Sequence, residues 1–181
     1  GQAGISALNR ALQDALNPLG AGGLEVVRGK DPDVTRYRVG DRVLQTKNDA
    51  AQDVFNGDLG VITSIDEEHD EKGKARKIVR VAFDGERLVA YEEGKELDKI
   101  TPAYAMSVHR SQGSTLPAVV VVMLKEHFIM LSRPLLYTAI TRAKKLAVLV
   151  TDPRAAFQAV SETRREVRRT MLADRLRQEN G

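Results

Sequence analysis

Two polar segments of the chain carry residue types suited to binding phosphate. Residues 107–114 read SVHRSQGS and residues 137–145 read YTAITRAKK. A turn rich in Gly, Ser and Gln supplies backbone N–H groups at close range, and Gly113 lets a phosphate approach without a Cβ in the way. Arg142 presents a planar, permanently charged fork of donors that matches phosphate oxygens. The two segments together predict contact with a nucleotide or a nucleic acid, although either one alone is more typical of an ordinary turn or a solvated helix face.

Apolar runs beside these segments predict the elements that position them. Residues 118–124 and 146–150 are the continuous apolar runs typical of parallel strands buried on both faces. Between them, residues 130–140 predict a largely buried helix. A further helix is expected to begin at residues 102–106 and to carry Ser107 and His109. For His109 the alternatives are a cap or packing role in the turn and a role near a ligand.

The first hundred residues have a different texture. Apolar residues at helical spacing predict a helix over residues 4–16, which Asn17-Pro18 ends. Strands are expected at residues 24–28 and 42–46, and then at 59–65, 78–83 and 87–91, where alternation and turn residues favour a small antiparallel barrel. The intervening residues 66–77 are strongly polar and predict a mobile hairpin tip. His69 in that stretch is interpreted as a solvated loop residue rather than a metal ligand.

Composition restricts the class of protein. The chain has 181 residues, a net charge of +3 and no cysteine. The absence of cysteine excludes disulfide frameworks and thiolate metal sites, and the low net charge means that any contact with nucleic acid depends on local placement of Lys and Arg. The longest apolar runs are strand-sized and no signal-peptide pattern is present, so a cytoplasmic protein without membrane contact is expected. The mixed Arg and Glu residues of 153–178 predict a solvated, salt-bridged helix, with DNA contact as the alternative.

In order and spacing, the two polar segments resemble motifs V and VI of the superfamily 1 DNA helicases, specifically the RecD/TraA branch. Residues 4–18 resemble the helix after motif IV, and residues 40–48 and 54–60 resemble the strand and loop that lead into the small barrel of that family. The resemblance implies an α/β fold in which a RecA-like motor domain (2A) is interrupted by an SH3-like β-barrel (2B). The implied bounds are 1–57 and 101–181 for domain 2A and 58–100 for the 2B insertion.

The resemblance also implies a function and a set of roles. It predicts an ATP-dependent 5′-to-3′ DNA helicase that couples ATP hydrolysis to translocation on single-stranded DNA and duplex unwinding in repair or recombination. Arg142 is the expected catalytic arginine finger. The residues expected at the nucleotide are Gln112, Gly113 and Arg142. The residues expected at single-stranded DNA are Thr46, Lys47, Asn48, Ser107 and His109.

Three positions depart from the pattern of that branch. Asp49 and Ala50 stand where relatives often carry Asn and Tyr, which argues against base stacking by an aromatic side chain there. Thr115 stands where many relatives carry a Glu that meets the nucleotide ribose. Contact with the nucleotide from this side is therefore expected to differ from that in relatives.

No Gly-x-x-x-x-Gly-Lys-Ser/Thr sequence occurs in the chain. By the resemblance, the cradle for ATP and the ligands of Mg²⁺ would lie on an N-terminal motor domain of the same protein, so this chain alone is expected to lack ATPase activity and to hold no metal. The chain is expected to begin artificially and to end naturally. The expected partners are single-stranded DNA, ATP, that motor domain and a protein bound to the SH3-like barrel. Two alternatives stay open, namely the helicase part of a conjugative relaxase and a non-motor SH3-like module that binds DNA or protein.

Overall fold

The computed structural model describes residues 4–21, 23–30, 34–69, 73–84, 86–111 and 113–162. The chain divides into two compact units after Ser114. Unit 1 holds the residues up to Ser114 and unit 2 those from Thr115 onward. Each unit is described by itself below.

Unit 1 combines one helix, a short hairpin and a larger sheet. Helix α1 spans Ile5–Leu16, as its apolar spacing predicts. The antiparallel hairpin pairs two strands, β1 (Glu25–Arg28) with β2 (Thr35–Arg38). The larger sheet has five strands in the order β6-β5-β4-β3-β7. Its strands are β3 (Arg42–Gln45), β4 (Leu59–His69), β5 (Ala75–Phe83), β6 (Arg87–Glu92) and β7 (Ile100–Pro102).

Alternating residues of these strands build a single apolar core in unit 1. Val79, Val81 and Phe83 of β5 are fully buried, while Arg80 and Ala82 between them are less buried. This is the period of two expected of a half-buried strand. The core cluster joins side chains from the hairpin, the larger sheet and the connecting loops. Its members are Val26, Tyr37, Val43, Val54, Ile62, Ile65, Val79, Val81, Phe83, Val89, Tyr91, Leu97 and Ile100.

Two sequence predictions for this region need correction. Residues 66–77 are not a loop throughout, because β4 and β5 continue pairing from Asp66 opposite Ile78 out to His69 opposite Ala75. Across the two strands Arg80 forms ion pairs with Asp66 and Glu68, so polar side chains stabilise the extended hairpin from its solvent side.

The predicted barrel is likewise not closed among the described residues. No described pairing joins β6 to β7, and the sheet remains open. This sheet also extends past both ends of the predicted 58–100 insertion, since β3 precedes the insertion and β7 begins at its last residue and continues to Pro102. The division into domains 2A and 2B stays a prediction.

The helix predicted to begin at residues 102–106 is also wrong. Strand β7 ends at Pro102, and the described residues after it form bends and turns up to Gly113. Ser side chains in this stretch hydrogen-bond to nearby backbone groups, which competes with helix formation.

Unit 2 is a parallel pair of strands with short helices. Strands β8 (Leu116–Met123) and β9 (Ala143–Thr151) pair in parallel. Between them lie a 3₁₀ turn (Lys125–Met130) and helix α2 (Arg133–Ile140). Helix α3 (Pro153–Ser161) follows, and the Asp152 carboxylate caps it by accepting from the backbone N–H groups of Arg154 and Ala155.

The positions of β8 and β9 confirm the two strands predicted from the sequence. The prediction that these strands are buried on both faces is wrong. Val120 is 62% exposed, and much of β9 is exposed as well. Helix α2 is not largely buried either, since Tyr137 is 70% exposed. Two strands alone cannot cover both of their faces. The predicted helix over 153–178 continues beyond residue 162, where the described part of the chain ends.

Among the described residues no helix is long and apolar enough to cross a membrane.

Candidate nucleic-acid interface

The described residues of the segment 107–114 fold into a compact turn that is closed by Ser111. The Ser111 backbone N–H donates to the Ser107 carbonyl at 3.2 Å, and its hydroxyl donates to the Val108 carbonyl at 2.8 Å. Ser111 is buried, whereas His109 and Arg110 at the tip are exposed. The turn therefore presents one imidazole and one guanidinium to solvent.

Gly113 has the conformation that the sequence argument requires. Its φ is +86°, a region that residues with a Cβ rarely adopt, and no atom lies within 4 Å of where a Cβ would be. Space for a ligand is thus open at this residue. Gln112, its predicted partner at the nucleotide, lies outside the described residues.

The loop after β3 carries the other predicted DNA-binding residues. Lys47 and Asn48 are exposed, and the Asn48 side-chain oxygen accepts from the Asn56 backbone N–H at 2.9 Å. Thr46 is partly buried, because its hydroxyl donates to the Lys99 carbonyl at 2.9 Å. The loop is therefore held at both ends, and between them the exposed Lys47 ammonium makes no hydrogen bond or ion pair with any described residue.

Asp49 and Lys99 give this loop a further anchor. The Lys99 ammonium lies 3.0 Å from the Asp49 carboxylate, and this hydrogen bond lowers the pKa of Asp49. The acidic residue at position 49 thus fixes the loop to the turn before β7.

A polar cavity of about 400 Å³ brings the loop and the turn together. Thr46 lines it from the end of β3, and Arg110 lines it from the turn. Tyr37 also lines it, with its hydroxyl donating to the Ile100 carbonyl at 3.0 Å; burial raises the pKa of Tyr37 to about 12. Ser107 and His109 are not among its lining residues.

Helix α1 supports the turn through side-chain amides on one face. The Asn9 amide donates to the Ala105 carbonyl at 2.8 Å, and its oxygen accepts from the Ala105 N–H at 2.9 Å. Ala105 lies two residues before Ser107, so the helix fixes the backbone that enters the turn. Gln13 and Asn17, one and two helical turns further on, instead bind the Asp41 carboxylate at 2.5 and 2.7 Å.

Asp41 is the centre of the resulting polar network. It is fully buried and also accepts from the Arg38 backbone N–H at 2.7 Å and the Tyr104 hydroxyl at 2.9 Å. Burial, together with the hydrogen bond to Asp41, raises the pKa of Tyr104 to about 12. The Tyr104 hydroxyl is thereby committed to this internal network.

Arg142 lies in unit 2, between α2 and β9. Its Nε donates to the Thr138 carbonyl in the last turn of α2 at 3.1 Å, and its own carbonyl accepts from Leu116 at the start of β8 at 2.8 Å. The side chain is partly buried. A helix C-terminus favours a cation, and the Thr138 carbonyl orients the guanidinium, whose Nη2 also donates to the Thr141 hydroxyl at 3.4 Å.

The structure adds two residues that sequence reasoning passed over. Arg110 belongs to the polar segment 107–114. Its position in the same cavity as Thr46 follows from the fold, because the two residues are far apart in the chain. Asp41 carried no local signal except its place before a strand. Among the described residues no cluster of His, Cys, Asp or Glu could hold a metal ion.

Two family models match the chain. The one described as the ATP-dependent RecD-like DNA helicase SH3 domain matches residues 8–83, and the UvrD-like helicase C-terminal domain matches residues 102–150. The first match begins well before the predicted insertion, in agreement with an open sheet that includes β3. The second covers the turn, Arg142 and most of β9.

Two curated relatives match 98% and 78% of the chain. The ATP-dependent RecD2 DNA helicase of Deinococcus radiodurans is 37% identical over 98% of this chain and 22% of its own length. The RecBCD enzyme subunit RecD of Mycolicibacterium smegmatis is 34% identical over 78% of this chain and 23% of its own length. The chain thus spans less than a quarter of the length of these relatives.

A solved structure shares the fold. The Pif1 helicase from Bacteroides, crystallised in complex with ADP-AlF3 and single-stranded DNA, aligns over 96% of this chain and 43% of its own, with a TM-score of 0.56 and 20% identity. At that identity the similarity concerns the mixed α/β fold alone.

Proposed function

Because the chain belongs to the RecD-like DNA helicases, we propose that it supplies the C-terminal motor part of an ATP-dependent 5′-to-3′ DNA helicase acting in repair or recombination. ATP hydrolysis in the full-length protein would be coupled to translocation on single-stranded DNA and to duplex unwinding. The cytoplasm is the proposed location.

One observation carries the proposal for DNA. The closed turn at residues 107–114 holds His109 and Arg110 exposed, and Arg110 lines the same cavity as Thr46. Exposed basic and hydroxyl side chains around a groove suit the phosphates of a single strand. We assign the strand-binding role to unit 1, through Thr46, Lys47, Asn48, Ser107 and His109.

Arg142 is the proposed catalytic residue. A guanidinium that is oriented by the end of α2 can hold charge that develops on the γ-phosphoryl group in the transition state, with Gln112 and Gly113 at the same nucleotide. ATP and Mg²⁺ would bind mainly to an N-terminal motor domain, because the described residues contain no metal cluster and the sequence has no phosphate-binding loop of the Walker A type. When bound, Mg²⁺ would neutralise phosphate charge. This chain would contribute the Arg142 guanidinium to the same nucleotide.

The test uses the full-length protein with Arg142→Ala and Arg142→Lys. Steady-state ATPase should fall on the order of 10³-fold in the Ala variant and nearly as far in the Lys variant, since Lys keeps the charge and loses the fork. Affinity for single-stranded DNA should stay within a few fold, because an arginine finger acts on charge absent from the ground state.

Arg154→Ala is the matched control. It removes an exposed arginine from the same unit, at the start of α3. Circular dichroism verifies folding of all three variants. Undiminished ATPase in Arg142→Ala would end the assignment of the arginine finger.

A second candidate function is a non-motor module in which unit 1 binds DNA or a protein. It would rest on residues 8–83, the part of the chain that matches the SH3 domain of RecD-like DNA helicases. In that case the full-length protein would show no ATPase that depends on Arg142, so the same variants distinguish the two functions.

A further inference from the structure

We propose that Gln45 is a positioning residue that fixes the backbone of Lys47 for single-stranded DNA, and that Tyr91 holds the Gln45 amide in place. This role rests on the proposed function, in particular on the strand-binding role of Lys47, and extends it to two core residues beneath the loop after β3. Neither side chain touches a strand itself, because Gln45 is fully buried and Tyr91 is only 1% exposed.

Gln45 places an amide where the pattern of the strand favours an apolar side chain. It is the last residue of β3, and Val43, two residues earlier and so on the same side of the strand, belongs to the apolar core. A buried amide is costly unless its nitrogen and its oxygen are both hydrogen-bonded. Gln45 therefore needs two partners inside the protein.

The two partners of the amide fix its orientation. The Gln45 Nε2 donates to the Lys47 carbonyl at 2.8 Å, and the Gln45 Oε1 accepts from the Tyr91 hydroxyl at 2.8 Å. A carbonyl can only accept, so the amide nitrogen must face Lys47 and the amide oxygen must face Tyr91. Burial, with a further contribution from the Asp49 carboxylate, raises the pKa of Tyr91, so this hydroxyl stays a donor at neutral pH. The amide thus links the core to the backbone of Lys47.

This link acts on the one residue of the loop that other contacts leave unfixed. The Thr46 backbone N–H and the Asn48 side chain each form a hydrogen bond with a distant part of the chain. Among the described residues the Gln45 amide is the sole donor to the Lys47 carbonyl. Without it the peptide group after Lys47 could rotate, and the lysine would have to be ordered at the moment a strand binds.

The polar pair contributes to the conformation of the loop more than to the stability of the core. When both partners of a buried hydrogen bond are replaced by apolar groups of similar shape, stability often stays the same or rises. Gln45→Leu together with Tyr91→Phe makes that replacement beside Val43 and Val79, which already belong to the apolar core. Only the hydrogen bond to Lys47 is then lost without compensation.

The test uses the full-length protein with Gln45→Leu and Tyr91→Phe combined. Anisotropy of fluorescently labelled oligo-dT measures strand affinity over a range of salt concentrations, and hydrogen exchange of the β4 and β5 amides measures the stability of unit 1. Exchange should be as slow as in wild type or slower, while affinity falls about fivefold. The slope of log affinity against log salt should stay the same, because Lys47 still meets its phosphate once the strand is bound.

Lys47→Ala tests whether the loss of affinity passes through this lysine. Alone it should weaken binding about tenfold and reduce the slope by about 0.7, the value for one phosphate contact on a single strand. When Gln45→Leu and Tyr91→Phe are added to Lys47→Ala, they should cost less than about twofold, because the positioned backbone then presents no lysine. A role in the fold alone would give the same cost in both backgrounds.

Val81→Ala is the control for lost stability. Val81 is fully buried in β5, where it pairs with Val89 of β6 and lies outside the loop after β3. Its truncation leaves a cavity in the core, so the β4 and β5 amides should exchange faster. Strand affinity should nevertheless stay within about twofold of wild type, because the Gln45 amide and Lys47 are unchanged.

The outcomes separate this role from the proposed function. Wild type that does not bind oligo-dT, or Lys47→Ala that binds it as wild type does, would overturn the strand-binding role of the loop and the role of Gln45 with it. Wild-type affinity in the combined variant, beside a loss in Lys47→Ala, would overturn the positioning role alone and leave the proposed function standing. An equal cost with and without Lys47, or a combined variant that does not fold, would also overturn it, because the pair would then serve the core.

Discussion

The two units differ in what they bury. In unit 1 the apolar side chains of a five-stranded sheet are enclosed, and the Asp41 carboxylate is fully buried with four hydrogen-bond donors around it. In unit 2 the parallel strands expose Val120, Leu146 and Val150 to roughly half their surface. Unit 1 thus completes its own core, and unit 2 gains much less from burial.

The difference follows from the type of sheet. An antiparallel sheet can leave one face in water when polar residues alternate with apolar ones, as in β4 and β5. Parallel strands have apolar residues on both faces and are stable when both are covered. In unit 2, α2 and α3 bury few residues, among them Ala139, Ala155 and Ala159. We therefore expect substitutions to lower the free energy of unfolding strongly in unit 1 and weakly on the exposed strands of unit 2.

The largest effect on stability is expected for Asp41→Ala. Removal of this carboxylate takes one acceptor from the buried donors of Gln13 and the Arg38 backbone and from the part-buried donors of Asn17 and Tyr104, at about 1–3 kcal/mol for each buried group left unsatisfied. The free energy of unfolding of unit 1 should fall by about 3 kcal/mol or more, measured by hydrogen exchange of the β4 and β5 amides. Glu67→Ala, at an exposed position of β4, should change it by less than about 0.5 kcal/mol. Equal losses in the two variants would remove the special role of the buried network.

An intermediate effect is expected at alkaline pH. The pKa of buried Tyr37 is raised to about 12, above the value of 10.0 for an unfolded chain, so the folded state holds its proton more tightly. This contribution is fully present below pH 10 and is lost as the pH rises through 12, with a cost of about 3 kcal/mol. Thermal melts should therefore show a smaller alkaline loss of stability in Tyr37→Phe than in wild type. Tyr137→Phe, at an exposed position of unit 2, should leave the alkaline loss unchanged, and a shared response would contradict the contrast.

The smallest effects come from a matched pair of valines. Val81→Thr places a hydroxyl at a fully buried position of β5, which should cost about 1–2 kcal/mol. Val148→Thr makes the same change on β9, where the side chain is 41% exposed, and should cost less than about 0.5 kcal/mol. Chemical denaturation of both variants compares the two costs. A larger cost at Val148 would mean that unit 2 is covered in solution.

The sequence predicted elements better than it predicted contacts. Helix α1 and strands β8 and β9 followed from local periodicity, which depends only on neighbouring residues. The paired strands near the tip of the β4–β5 hairpin were missed because a strongly polar composition, taken alone, predicts a loop. In the structure these strands are stabilised by ion pairs between residues of β4 and β5. The stretch after β7 lost its predicted helix to local serine hydrogen bonds.

The candidate site was predictable only where it depends on local sequence. Residues 107–114 and Arg142 are recognisable from their local sequence, and their roles stay predictions. The Asp41 network and the cavity beside Arg110 join residues separated by many positions, so no local pattern could indicate them. The resemblance to helicases, by contrast, was confirmed by the family models and relatives.

One measurement tests the division of roles between the units most directly. ATPase turnover and affinity for single-stranded DNA are measured on the full-length protein for Arg142→Ala and Arg110→Ala side by side. We expect Arg142→Ala to lower turnover on the order of 10³-fold with strand affinity within a few fold, and Arg110→Ala to lower strand affinity about tenfold. Full turnover in Arg142→Ala, or a loss of strand affinity as large as that of Arg110→Ala, would contradict the account.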